Sequence, residues 1–203
     1  MTTAATHDTE AQPVRRPRGR PRDPRVEGVV LSATRDLLLE RGFGRLTIAT
    51  VADAAGVGKG TIYLRWPDKE SLVVSALGEV WEPLVAPDTG TLRGDVLAVL
   101  RDAAGHMNGT PGALLSSVVG EMPRHAQLLD LYTGAVIGPW SEVLHTVFTR
   151  GVERGEMRAD VDNQLATDAM MGPLVSICIV RGQKVAPRQV EALADIFLGG
   201  VAA

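Results

Sequence analysis

Two short helical segments separated by a glycine constrain the fold of this chain more than any other feature. The stretch from residue 46 to residue 73 reads LTIATVADAAGVGKGTIYLRWPDKESLV. Thr47 is a favourable N-cap for a first helix, and Gly56 ends that helix. A second helical segment, residues 61–64, follows within a few residues. Two short helices joined by a tight turn that contains glycine are predicted to form a helix-turn-helix unit.

Long stretches with a helical apolar period make up most of the remaining chain. They are not interrupted by an alternating strand pattern with hairpin turns. The spacing of apolar residues predicts further helices near residues 26–41, 68–86, 89–107, 111–121, 124–154 with a bend at Pro139, 162–181 and 187–199. We therefore expect an all-α fold, in which a three-helix head with the helix-turn-helix precedes a larger helical body.

Charge is unevenly distributed along the chain. The segment Pro13–Arg25, PVRRPRGRPRDPR, contains six arginines and one acidic residue, whereas the whole chain has a formal charge of −3. Residues 1–71 sum to +3 and residues 72–203 to −6, which predicts that the front of the chain meets a polyanion. We expect three parts: a flexible basic arm (1–24), a DNA-binding head (25–71) and a ligand-binding and dimerisation body that forms the remainder.

Cysteine content and hydropathy indicate the compartment. The single cysteine, Cys178, excludes an internal disulfide framework and favours a reducing environment. Residues 1–12 are polar, no apolar segment follows the arginines, and no run of 18 uncharged apolar residues occurs. The sequence therefore predicts neither a signal peptide nor a membrane span, and we expect a cytoplasmic protein.

Residues 25–73 resemble the DNA-binding head of the Tet repressor (TetR) family of bacterial transcriptional regulators. The similarity is carried by LLLERGFGRLTIATVADAAGVGKGTIYLRWPDKESLV. The matching features are the Gly42-Phe43 pair, Thr47, the Gly56-Val57 pair, Trp66 and the motif from Lys69 to Leu72. The resemblance implies that this head binds double-stranded DNA, while the body differs in sequence between family members.

The leading end of the second helix has the residue types that a major-groove reader needs. Gly58 and Gly60 are small enough to let the backbone approach base edges. Lys59 can donate to guanine O6 and N7, and Thr61 can contact a thymine methyl group or a phosphate. Residues 58–61 are therefore the expected base-reading segment.

Four further side chains suit the phosphate backbone. Thr47 and Tyr63 carry hydroxyls, Lys69 lies near a helix start, and Arg65 adds a further positive charge. The resemblance implies that Thr47, Tyr63 and Lys69 clamp the DNA backbone. Taken singly, each has an ordinary alternative as a helix cap, a core aromatic or a solvated charge, but their combination at this spacing predicts DNA binding.

The centre of the basic arm, PRGRPR, is similar to an AT-hook. In such a segment Arg18, Arg20 and Arg22 would follow the narrow minor groove of A·T-rich DNA, and Gly19 would let the backbone lie deep in the groove. The alternative is a non-specific polybasic tail that raises the affinity for any duplex.

Catalysis in the body is the rival class of function. His106, His125 and His145 are isolated in sequence, and the chain has no HExxH, CxxC or GxSxG spacing. Cys178 lies in the apolar run PLVSICIV, where a small buried hydrophobe is expected. We therefore expect no enzyme activity, no catalytic or metal-binding residues and no cofactor.

Aromatic and methionine side chains on otherwise aliphatic helices predict a pocket in the body. The TetR resemblance implies that the body binds a small molecule and moves the helix after the head. We expect a pocket between the helices near 68–86, 89–107 and 124–154, and a largely apolar effector. The candidate lining residues are Trp81, Met107, Met122, Tyr132, Trp140 and Met171. The alternative is that these side chains are ordinary core.

The last two predicted helices have wide apolar faces with small residues among them. The resemblance implies a homodimer, and two recognition helices related by a twofold axis would read a palindrome. The candidate interface residues are Leu165, Ala169, Met170, Leu174, Ile177, Val190, Leu193, Ile196 and Phe197. The alternative for each is intramolecular core.

Together these features predict a homodimeric, ligand-responsive transcription regulator, with a repressor as the favoured mode. Effector binding would tilt the helix after the head and disturb the spacing of the two recognition helices. A constitutive architectural DNA-binding protein, suggested by the arginine arm, is the alternative.

Overall fold

Ten α-helices form the part of the chain that the computed structural model describes, residues 24–81 and 85–203. These ranges contain no strand, and a single isolated bridge pairs Met157 with Ala202. The helices are α1 (Pro24–Arg45), α2 (Ile48–Ala55), α3 (Lys59–Tyr63), α4 (Lys69–Gly78), α5 (Leu92–Asn108), α6 (Thr110–Val119), α7 (Ala126–Tyr132), α8 (Gly138–Glu153), α9 (Asn163–Val175) and α10 (Pro187–Val201). The all-α prediction is confirmed.

Gly42 breaks α1 where the sequence predicts its end. Its φ of 72° and ψ of 170° are not helical, so the last residues of α1 turn away from the helix axis. Only glycine adopts this backbone geometry without strain. The break brings Phe43 and Leu46 into the core, where each is 1% exposed.

The helix predicted over residues 68–86 is shorter in the structure, because α4 ends at Gly78. Glycine is a poor helix former, and Trp81 N donates to Gly78 O in a tight turn. Tertiary contacts favour this turn: Glu79 pairs with Arg35 of α1, and Trp81 is buried in the body.

The single bent helix predicted over residues 124–154 is not one regular α-helix in the structure. A three-residue 3₁₀ turn ends at Arg124, α7 and α8 follow, and a π-helical turn over Thr133–Ile137 joins them. Pro139 lies in the first turn of α8 and has no N–H to donate, so the irregularity lies just before the predicted bend. The helix predicted over residues 162–181 is also irregular near its end, because a π-helical turn at Ser176–Val180 follows α9.

One hydrophobic core runs through head and body. α5 lies at its centre and packs against α6, α8, α9 and α10, while α1 packs against both α4 and α6. The fully buried side chains include Leu38, Leu72, Leu100, Leu114, Leu144 and Phe148. Burial of each such side chain contributes about 1.5–3 kcal/mol, so the head and the body stabilise each other.

A buried carboxylate fixes the beginning of α5. Asp95 is fully buried; its Oδ1 accepts hydrogen bonds from Thr89 N at 2.6 Å and Thr89 Oγ1 at 2.8 Å, and its Oδ2 accepts one from Arg154 at 3.0 Å. Burial alone would raise the pKa of Asp95, but these bonds outweigh it and the pKa is lowered. The network joins the segment before α5 to the end of α8.

None of the described helices combines the length and the apolar composition that crossing a membrane requires.

Candidate nucleic-acid interface

Thr47 starts α2 with a reciprocal pair of hydrogen bonds. Its Oγ1 accepts from Thr50 N at 3.1 Å, and its own N donates to Thr50 Oγ1 at 3.1 Å. This capping arrangement satisfies backbone donors that a helix start leaves unpaired. Thr47 is exposed, so its hydroxyl caps the helix and also faces solvent.

The turn between α2 and α3 depends on two glycines. Gly56 has a left-handed backbone, φ 65° and ψ 32°, and its N–H donates to carbonyls of α2. Gly58 is the N-cap of α3 and has no side chain to cap it. The helix-turn-helix predicted from the sequence is therefore present, with the second helix beginning at Lys59 rather than at residue 61.

α3 has one buried residue and an otherwise open surface. Ile62 is 0% exposed and attaches the helix to the core, whereas Lys59 and Gly60 are exposed and Thr61 is half-buried. Tyr63 is 54% exposed, although the aromatic side chains on either side of it in the head, at positions 43 and 66, are buried. The structure thus places the predicted base-reading segment and the Tyr63 hydroxyl on a solvent-facing helix.

Lys69 is attached to the end of α1. Its Nζ donates to Phe43 O at 3.2 Å and lies 3.8 Å from the centroid of the Phe43 ring. A lysine ammonium has three donors, so one hydrogen bond to Phe43 leaves others for a phosphate. No local sequence pattern predicts this contact, because the two residues are 26 positions apart.

Arg65 differs from the other predicted phosphate contacts. Its side chain is 14% exposed, and its Nε lies 3.6 Å from Glu27 Oε2 of α1. The charge is thus used within the head, where it ties the end of α3 to α1. The predicted arm residues Arg18, Arg20 and Arg22 lie outside the described residues.

The six predicted pocket residues are mostly interior. Burial raises the pKa of Tyr132. These side chains belong to the body core, which is the alternative that the sequence left open, and two of them meet in one aromatic cluster. The buried members are Trp81, Met107, Met122, Tyr132 and Trp140, and Met171 is partly buried against the same core.

That aromatic cluster consists of Trp81, His106 and Trp140. The Trp81 and His106 rings stack with centroids 5.6 Å apart, and Trp140 meets both edge-on at 6.4 Å and 5.7 Å. The Nε1 atoms of both tryptophans are buried without a hydrogen-bond partner within the described part of the protein. Buried donors normally have an acceptor, so these two indole N–H groups can still bind one.

A groove of about 520 Å³ lies between α9 and α10. Its apolar lining includes Leu165, Ala169, Met170, Leu193, Ile196 and Phe197, all of which are in the predicted dimer set, and none of the six predicted pocket residues. Leu165 is 67% and Ile196 74% exposed. Five of the predicted interface residues are buried within the single chain and belong to its own core: Met170, Leu174, Ile177, Val190 and Phe197.

Possible catalytic or metal-binding groups are scattered. Within residues 24–81 and 85–203, no three His, Cys, Asp or Glu side chains are grouped so that they could hold a metal ion. Cys178 is buried beside Asn108, and burial raises the pKa of its thiol.

Two family models match this chain. Residues 30–76 match the family described as bacterial regulatory proteins, tetR family. Residues 86–197, more than half of the chain, match the tetracyclin repressor-like C-terminal domain. This chain belongs to the TetR family.

Individual TetR-family proteins are similar along most of the chain. The uncharacterized HTH-type transcriptional regulator YdeS of Bacillus subtilis (strain 168) is 29% identical over 187 residues, which cover 92% of this chain and 94% of YdeS. The solved structure of the TetR family transcription regulator SCO0332 is 30% identical, with a TM-score of 0.65, and covers 88% of this chain and 99% of SCO0332. The flavonoid-responsive regulator FrrA has a TM-score of 0.68 at 21% identity, covers 89% of this chain and 98% of FrrA, and shares the fold.

Membership in the TetR family identifies the class of this protein. TetR-family proteins are helix-turn-helix transcriptional regulators that bind DNA and act as dimers, and the family is not enzymatic. The prediction of a DNA-binding transcriptional regulator is therefore confirmed. α2 and α3 are its helix-turn-helix pair.

Proposed function

We propose that this TetR-family regulator is a repressor that binds a palindromic operator as a homodimer and is released by a small molecule. The observation that carries the DNA-binding part is the surface of α3. One residue, Ile62, anchors this helix, and the residues at its leading end are exposed and small or basic. A helix mounted in this way can enter a major groove without disturbing the core.

Within this interface, Lys59 reads base edges and Thr61 supports it, with Gly58 and Gly60 allowing close approach. The exposed hydroxyls of Thr47 and Tyr63 bind phosphates. Lys69 adds a charged phosphate contact. Arg65 acts indirectly, by holding the end of α3 against Glu27.

The homodimer forms through the groove between α9 and α10. Leu165 on α9 and Ile196 on α10 are large, apolar and exposed, which is costly in an isolated chain. Ala169 and Pro173 line the same groove, and their small side chains would allow the helices of a second copy to approach closely. A second copy related by a twofold axis would cover this surface with the same residues.

We propose that the chain is organised as an arm over residues 1–24, a head over 25–71 and a body over 72–203, and that it acts in the cytoplasm. The arm is proposed to bind the minor groove beside the operator through Arg18, Arg20 and Arg22. Deletion of residues 1–22 should then reduce affinity most for operators with A·T-rich flanks. Equal losses on A·T- and G·C-flanked sites would support the polybasic-tail alternative.

The effector site is proposed at the cluster of Trp81, His106 and Trp140. These rings offer flat apolar surfaces, and the two indole N–H groups lack acceptors within the described residues. An aromatic molecule with an acceptor oxygen would match both properties. The flavonoid-responsive regulator FrrA has the same fold, and this likeness supports an aromatic effector.

The effector proposal can be tested with three matched probes. Calorimetry would compare 2-naphthoate, 2-acetylnaphthalene and naphthalene with the full-length protein and with its Trp140→Phe variant. The two probes with acceptor oxygens should bind more tightly than naphthalene, and Trp140→Phe should reduce the difference, because the indole N–H of Trp81 remains. Equal affinities in both proteins would contradict a site at this cluster.

The repressor proposal is tested by mapping the protein on the genome of its source. Discrete palindromic sites at promoters, with increased transcription of the adjacent genes when the regulator is deleted, are the expected result. Broad coverage of A·T-rich DNA without palindromes would instead favour the constitutive architectural protein that the arginine arm suggests.

A further inference from the structure

The first turn of α4 is held from the body as well as from the head. Asp68 is the N-cap of α4, and its Oδ1 accepts a hydrogen bond from Ser71 N at 2.8 Å. Its other oxygen, Oδ2, accepts a hydrogen bond at 2.7 Å from Gln127 of α7. The two oxygens of one carboxylate therefore have separate tasks: one caps the helix, and the other ties the cap to the body.

His125, two residues before Gln127, makes the neighbouring contacts. Its Nδ1 lies 3.5 Å from Oε1 of Glu70, which is also in the first turn of α4. Its ring meets the Phe43 ring edge-on, with centroids 5.0 Å apart and planes inclined by 71°. One side chain of the body thus contacts both α4 and the end of α1.

Phe43 connects these contacts to the proposed DNA contact. Its ring and its carbonyl oxygen both hold the Lys69 ammonium, at 3.8 Å and 3.2 Å. Phe43 is 1% exposed, so its ring cannot reorient without moving its neighbours. His125 therefore supports the ring on which Lys69 rests.

We propose that His125 and Gln127 are positioning residues for DNA binding, which hold the Lys69 ammonium ready for a phosphate. This inference rests on the proposed phosphate contact of Lys69. A lysine side chain is flexible, and an ammonium that is already oriented loses less freedom when it binds. Without the two body side chains, Lys69 keeps its charge, but its ammonium is no longer held in one orientation.

The arrangement also gives the body a direct route to the DNA contact. Met122, at the start of the same segment, is buried in the body core. A change in core packing that displaces this segment moves His125 and Gln127, and with them the first turn of α4 and Phe43. The segment from Met122 to Gln127 thus connects the body interior to the DNA-facing side of the head.

The test is a double-mutant cycle on the full-length protein. Affinity for a labelled duplex of mixed sequence is measured by fluorescence anisotropy over a range of salt concentrations, because a phosphate contact does not depend on sequence. The variants are Gln127→Ala, His125→Ala and Lys69→Ala, and each of the first two combined with Lys69→Ala. Gln127 is exposed, so its truncation should leave the fold intact, and thermal unfolding of every variant checks this.

Gln127→Ala and His125→Ala should each weaken binding about three- to tenfold in the parent protein, and should have no further effect once Lys69 is alanine. The control is Gln164→Ala, which removes a similar exposed bond to Asp168 on α9 and should leave the affinity unchanged. A purely structural role would lower the unfolding temperature without this dependence on Lys69.

Two failures are distinguishable. If Lys69→Ala leaves both the affinity and its salt dependence unchanged, the proposed phosphate contact itself is wrong. If Lys69→Ala weakens binding, but the Gln127 and His125 variants either bind normally or lose the same factor with and without Lys69, the positioning role is overturned.

Discussion

At the scale of single residues, we propose that α3 uses different exposed residues to recognise bases and the DNA backbone. Lys59 lies at the leading end of the helix, and Tyr63 lies at its last residue. Both are exposed, so we expect substitutions there to affect DNA binding and to leave the core undisturbed.

Tyr63→Phe removes one hydroxyl and should weaken binding to every duplex by about 0.5–1.5 kcal/mol. The salt dependence should hardly change, because a neutral hydroxyl releases no counterion.

Lys59→Ala should weaken the binding free energy on the preferred sequence by about 1–3 kcal/mol and relax the preference at one or two base pairs. Anisotropy titrations on specific and mixed duplexes measure both effects. Lys184→Ala, an exposed lysine of the body, is the charge control and should bind normally.

Local residue roles were predictable from the sequence where they depend on near neighbours. The Thr47 cap and the Gly42 and Gly56 breaks follow from residue type and spacing, and the structure confirms them. The attachment of Lys69 to Phe43 and the pairing of Arg65 with Glu27 involve residues that are distant in sequence. Such partners are decided by tertiary packing, which periodicity does not reveal.

At the scale of helices, close packing of α5 against α6 requires a glycine. A Cβ atom at Gly112 would lie 2.0 Å from Met107 O and 2.6 Å from Met107 C, which are backbone atoms that cannot move aside. This contact closes the short connection between the two helices.

Gly112→Ala should therefore lower the free energy of unfolding by about 3 kcal/mol. Gly105→Ala is the matched control, because Gly105 is an exposed residue of α5 and a methyl group added there would meet no atom within 4 Å; it should raise stability by about 0.5–1 kcal/mol. Urea unfolding followed by circular dichroism compares them. Equal stability of the two variants would show that the connection relaxes freely.

The Asp95 network should make stability depend on pH. Its pKa is lowered in the folded state, so the ionised form contributes stability above the unfolded pKa of about 3.9, and this contribution is lost as the pH falls through the folded value. Asp95→Asn should cost about 2 kcal/mol near neutral pH, and the difference from the parent should shrink below about pH 4. A difference that stays constant across this range would contradict the charged role of Asp95.

The helices themselves were largely predictable because apolar residues recur at helical spacing. The ends of the helices were less predictable where tertiary packing determines them. α4 stops at Gly78 because Glu79 and Trp81 find partners on α1 and in the body. The π-helical turns before Gly138 and after Val175 have no equivalent in the 3.6-residue period.

At the scale of the whole molecule, the groove between α9 and α10 is the proposed interface through which two heads act together. The apolar faces of these helices were predicted from the sequence. Which of their residues are buried within a single chain was not. The structure separates Leu174 and Val190, which are internal, from Leu165 and Ile196, which are exposed.

Ile196→Lys should weaken dimerisation by about 100-fold or more, because it places an unpaired charge in an apolar interface. Leu129→Lys, on an exposed residue of α7 outside the groove, should leave the dimer intact. Sedimentation velocity at several concentrations compares the two variants. A dimeric Ile196→Lys protein would move the interface away from this groove.

Selection from a random duplex library, followed by sequencing, tests the central claim most directly. The parent protein should enrich an inverted repeat whose two halves are related by the twofold axis of the dimer. Lys59→Ala should reduce the base preference at one or two positions in each half. Ile196→Lys should no longer enrich the inverted repeat, although its head remains folded. Enrichment of no motif, or of the same inverted repeat by the monomeric variant, would contradict a dimer that reads a palindrome with α3.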